Sequence, residues 1–110
     1  ALVDALGVAR GSPVGPHLAD LLRDGQAYND TQVRARLGLS PAEALAEYET
    51  IHAKTMELAA ALPASLFYNT GFLLAYGSEY DLEDFIAYTF YGHKREHAAQ
   101  IMVFRDSLKR

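Results

Sequence analysis

The spacing of hydrophobic and polar positions is most regular in the last third of the chain. Wound as a helix at about 100° per residue, residues 81–108 bring Leu82, Ile86, Thr89, Phe90, His93, His97, Gln100, Ile101, Phe104 and Leu108 into one sector of roughly 120°. Lys94, Arg95, Arg105 and Asp106 fall outside it. Asp81 stands where a cap is needed. Glu83 and Asp84 follow in the first turn, and Lys109 and Arg110 close the far end, each sign complementing the helix macrodipole. The pattern predicts one unbroken helix of roughly 40 Å.

A second helix is predicted over residues 40–62. Ser40-Pro41-Ala42-Glu43 combines a capping serine, a proline at the first helical position and a glutamate able to reach back to the cap's own N–H. Pro63 stops it. Its inner face is Leu45, Tyr48, His52, Thr55, Ala59 and Leu62, flanked by Ile51 and Met56, so His52 is expected to point inward. Between the two helices, residues 64–80 have no sustained period and carry Asn69, Gly71, Gly77 and Ser78. They read as a structured connection that Phe67, Phe72, Leu73 and Leu74 tuck against the core.

The first forty residues are less regular. Residues 1–10 read as a helical fragment with Leu2, Val3, Leu6 and Val8 to one side, entered partway through a helix because no cap precedes them. Residues 11–16 are a cluster of Gly, Ser and Pro, hence a loop. A short helix is expected over residues 17–23, stopped near Gly25, and another over residues 29–37, stopped at Gly38.

Two histidines stand inside the apolar stripe of the last helix. His93 and His97 are four residues apart, one turn above the other, a spacing that lets two imidazoles reach one metal ion from a rigid surface. The plain alternative is two core imidazoles, each satisfied by a carbonyl or a tyrosine. That requires two buried partners, whereas one cation satisfies both rings. His52 is a third inward candidate, and His17, beside a loop, is expected to be solvated. The run also spells H-x-x-E-H, the pattern of inverted zincin peptidases, with Glu96 as the base. Those enzymes need a downstream acidic ligand, and the tail after His97 offers only Asp106, on the outer face. The peptidase reading is therefore set aside, and Glu96 remains a weak catalytic candidate. Tyr88, Tyr91, Ala98 and Met102 form a second apolar strip suited to a subunit interface.

Composition narrows the partners. With 110 residues, 50% of them hydrophobic and 22% charged, the chain has room for one domain, residues 1–110, with one core. A net charge of −4 with dispersed basic residues argues against a nucleic-acid partner. The absence of cysteine excludes disulfides and thiolate ligands. The apolar runs are too short to cross a membrane and no signal pattern opens the chain, so a cytoplasmic protein is expected.

Residues 80–86 (Tyr-Asp-Leu-Glu-Asp-Phe-Ile) and 91–101 (Tyr-Gly-His-Lys-Arg-Glu-His-Ala-Ala-Gln-Ile) resemble the last helix of the DinB-like family of small four-helix bundles. That helix reads His, three residues, His, two residues, then a polar residue and Ile, here His93, His97, Gln100 and Ile101. Residues 40–62 resemble the preceding helix, and Tyr28-Asn29-Asp30 resembles the family's short linking element. The likeness runs over residues 39–110. It implies an all-α four-helix bundle, shortened at its N-terminus, and a divalent metal, zinc or nickel, on His93 and His97. The family's third histidine would lie upstream of Ala1; otherwise His52 or His17 replaces it, or the site is dead. The family includes thiol-dependent transferases and isomerases and small-molecule hydrolases, so a metal-dependent reaction on a small molecule is the expectation. A metal-free binding or interaction module is the alternative. A bundle lacking its first helix leaves an apolar face uncovered, so a homodimer is also expected.

Overall fold

The computed structural model describes residues 1–109; the expectation for Arg110 lies outside them. All regular structure among the described residues is helical, as the all-α reading requires. In chain order the elements are α1 (Leu2–Ala9), α2 (Pro16–Arg23), α3 (Gly25–Arg36), α4 (Pro41–Ala61), a 3-10 turn (Ala64–Tyr68), α5 (Leu82–Ile86), a π-helical turn (Ala87–Tyr91) and α6 (Gly92–Ser107). None is long and apolar enough to cross a membrane. The radius of gyration, 15.8 Å, exceeds the about 13 Å of a compact chain of this length. The excess comes from exposed helices.

The core is built around α1, which packs against α2, α4 and α5. Ala5 and Leu6 of α1, Leu18 of α2, Leu62 at the end of α4, Leu73 of the connection, and Leu82 and Phe85 of α5 are buried together. The Phe85 ring meets those of Phe72, Tyr76 and Phe90 edge-on at 6.0, 4.8 and 5.5 Å, the arrangement that ring quadrupoles favour. One polar contact welds α1 to α2. The Asp4 carboxylate accepts the Leu18 N–H at 3.1 Å, filling one of the unpaired donors at the start of α2. Gly15 makes room for it, since a Cβ there would overlap that carboxylate.

The capping box expected at Ser40 forms, and the Asp81 cap proves to be a second one. Glu43 N–H donates to Ser40 Oγ at 3.1 Å and Ser40 N–H to Glu43 Oε2 at 2.7 Å. Asp81 and Asp84 do the same for α5 at 2.8 and 3.1 Å. The third helix differs from expectation: it begins at Gly25, four residues before Asn29. Asp24 accepts the Ala27 N–H at 3.1 Å, and a capped start turns the glycine read as a stop into the first helical residue. In the connection, Phe67 and Phe72 are half-buried and Leu73 buried as expected, whereas Leu74 faces outward.

Two further differences fix the candidate site. The inner face expected for α4 is covered only toward its C-terminus. Thr55 and Ala59 are half-buried and Leu62 is buried, while Leu45, Tyr48, Ile51, His52 and Met56 are exposed. The physical reason is that, among the described residues, the helix packed most extensively along it is α1, eight residues long. The final helix is continuous over residues 82–107, with helical φ and ψ at Ile86, Ala87, Tyr91 and Gly92. It contains a π turn, however, in which the Gly92 N–H reaches back five residues to the Ala87 oxygen. One extra residue per turn rotates everything beyond by about 100°. Leu82 and Phe85 face the core, but every residue of α6 is exposed.

Candidate metal centre

The rotation at the π turn decides which side chains of α6 face the rest of the molecule. Lys94 swings toward α4, its Nζ 5.3 Å from the centre of the Tyr48 ring. His52 stacks on that same ring from within α4, centroids 5.6 Å apart and planes 10° from parallel. Tyr48, His52 and Lys94 rim an open groove of about 540 Å³ whose walls include Leu6, Ile51 and Phe90. His93 and His97 do not line it.

The pair itself is well formed. His93 Nε2 and His97 Nε2 are 3.0 Å apart, with the rings edge to face at 4.4 Å between centroids. His97 Nδ1 lies 2.9 Å from Gln100 Oε1. An amide oxygen only accepts, so Nδ1 carries the proton and the lone pair of His97 sits on Nε2. Without a cation, His93 Nε2–H donates to that lone pair. With its proton on Nδ1 instead, His93 presents a second bare Nε2 beside the first.

Two nitrogens bound to one zinc at 2.0–2.1 Å in tetrahedral geometry stand about 3.3 Å apart. The observed 3.0 Å is within easy side-chain adjustment of that edge. Gln100 supplies the outer hydrogen bond that commonly orients a metal-bound imidazole. The residues present therefore fit half of a coordination sphere. Among the described residues, no group of three or more His, Cys, Asp or Glu side chains is placed to hold a metal ion. His52 is turned to Tyr48, and His17 Nδ1 is 3.3 Å from the Tyr28 hydroxyl, whose pKa burial raises. Neither joins the pair. Glu96 lies one residue from His97 on the exposed helix and shares a shallow hollow with Gln100, Val103 and Phe104.

Two participants were not assigned a role from the sequence. Gln100 sets the His97 tautomer, and its signal is the i,i+3 spacing that puts an acceptor beside an imidazole. Lys94 closes over Tyr48, which only the π turn makes possible. Comparison of the chain with protein-family models, curated proteins and solved structures gives no match.

Proposed function

We propose that this chain is a divalent-metal-binding helical protein, with His93 and His97 as two of the ligands and zinc or nickel as the metal. The observation that carries the reading is the convergence of the two Nε2 atoms at 3.0 Å with Gln100 holding His97 in the metal-ready tautomer. Two imidazoles leave coordination positions that water or a small molecule can occupy. A cation there lowers the pKa of a bound water or thiol and so presents a nucleophile at neutral pH. By the resemblance to DinB-like bundles, the chemistry is transfer or hydrolysis on a small molecule in the cytoplasm, with Glu96 close enough in sequence to accept a proton from a metal-bound water.

Tag-free protein tests this directly. Elemental analysis should find stoichiometric divalent metal. Zinc added to stripped protein at about a hundred times its Kd should stabilise the native state by about 2.7 kcal/mol. His93→Ala and His97→Ala should each abolish that gain. A parent protein whose melting temperature is indifferent to zinc and nickel ends the reading. The second reading, a metal-free interaction module, draws on the exposure of Ile101, Met102, Val103 and Phe104. These four consecutive apolar residues point to most sides of α6, and among the described residues none of them joins the buried core.

A further inference from the structure

The imidazole pair is half of a tetrahedral donor set, and it stands on a helix left exposed by the other described residues. Every residue of α6 is exposed, including Ile101 at 67% and Phe104 at 64%, which continue the face of His93 and His97 one and two turns further on. A compact chain of this mass exposes about 6,000 Å². This one exposes 7845 Å². The excess, about 1,800 Å² per chain, is what each partner of an obligate homodimer removes from water. Part of that excess lies on α6, where Ile101, Met102, Val103 and Phe104 are exposed beside the half-filled coordination sphere.

We propose that a second copy of this chain supplies the missing donors. Two α6 helices lie side by side across a twofold axis, so that His93 and His97 of both copies enclose one zinc ion in a four-imidazole tetrahedron. A twofold interface sets each residue against its own counterpart, so a half-site on an exposed helix meets an identical half-site. Four nitrogen ligands complete the closed sphere typical of structural zinc. With the helices parallel, Ile101 and Phe104 of each copy continue the seam beyond the metal. Lys94 and Glu96 flank the histidine face on opposite sides, about 80° to either side of it. The parallel arrangement therefore places Glu96 of each copy toward Lys94 of the other, the charge pairing seen at the edges of helical seams. The inference rests on the reading of His93 and His97 as metal ligands and specifies what fills the remaining positions. In the paired state the sphere is closed; an open position for small-molecule chemistry arises when the copies separate.

Zinc chloride titrated into tag-free, metal-stripped chain, followed by sedimentation velocity and by zinc analysis of the resolved species, tests the proposal. The expected result is one zinc per two chains and self-association tightened about a hundredfold. His93→Ala and His97→Ala should each remove the zinc effect. Circular dichroism of these variants should stay that of the parent, since both side chains are exposed. His17→Ala and His52→Ala should leave the effect intact. One zinc per chain on a monomer overturns the inference while leaving the metal reading in place, as does loss of zinc binding in His52→Ala. Association that ignores zinc, in protein that nonetheless binds it, also overturns the inference. Protein that binds no zinc overturns both.

Discussion

Residues 82–86 and residues 93–107 belong to one continuous helix, yet only the first group reaches the interior. Leu82 and Phe85 are buried, Phe85 among three aromatic rings, whereas His93, His97, Ile101 and Phe104 stand in solvent. Both halves carry apolar residues at helical spacing. What separates them is the π turn between, which rotates the second half away from the face the first half presents, and the shortness of α1, which leaves nothing beyond it to pack against. A hydrophobic stripe thus specifies a face that can be buried. Whether it is buried depends on a neighbour of sufficient length.

The contrast is broken most severely at the buried end. Phe85→Ala removes the ring that Phe72, Tyr76 and Phe90 surround and should cost about 3–5 kcal/mol in denaturant unfolding. A loss below about 1 kcal/mol would mean that α5 is not part of the cooperative core. Next comes the weld between α1 and α2. Asp4→Ala strips the start of α2 of its acceptor and should cost about 1–2 kcal/mol, in the range of a lost helix cap. Gly15→Ala drives a methyl group into the same carboxylate, and it should displace Asp4 and cost a similar amount. Because one contact is at stake, the double variant should lose less than the sum of the two.

These residues also mark where sequence reasoning reaches and where it stops. The Ser40–Glu43 box and the Asp81 cap are legible because the chemistry is local: two residues three apart satisfy each other's backbone. The convergence of His93 and His97 is legible for the same reason, being one turn of helix. Asp4 and Leu18 are 14 residues apart, and no periodicity joins them. His52 lies on the expected face of α4, at the rim of the groove, but it is exposed, because the inward reading presumed a long neighbour for α4. The π turn is least visible of all. Its five residues, Ala87 to Tyr91, read as ordinary helix, and the one local trace is Gly92, where an added Cβ would sit 3.4 Å from the Ala87 oxygen. A shift of one residue there moves the histidine pair from the expected core to an exposed face.

A smaller effect is expected at the start of α4. Hydrogen bonds from the Ser40 backbone and side chain hold the Glu43 pKa below its ordinary value. A depressed pKa means that the folded protein binds the proton less readily than the unfolded chain. The stabilisation is therefore present above the unfolded value near 4.5 and is lost as pH falls through the lower folded value. Glu43→Gln should flatten that part of the acid-unfolding curve, and an unchanged curve would remove Glu43 from the account of helix initiation.

The smallest effect should be found at the exposed end, and its size is the sharpest test of the contrast. Phe104 and Phe85 are the same residue type on the same helix, and if hydrophobicity alone governed their worth, Phe104→Ser would cost as much as the core substitution. In metal-free, dilute chain Phe104 is 64% exposed and lies outside the buried core, so the substitution should fall within about 0.5 kcal/mol of the parent. The 16 residues of α6 form a helix near the limit of independent stability in water. Amide hydrogen exchange should accordingly be fast across α6 and slow at Phe85 in α5, which is buried with its N–H bonded to the Asp81 oxygen. Zinc bridging His93 and His97 spans a full turn and should slow exchange on both sides of the pair in the parent, but not in His97→Ala. If α6 is instead protected as strongly as α5 without metal, the helix is already covered by a partner, and Phe104→Ser should then cost several times more than predicted here.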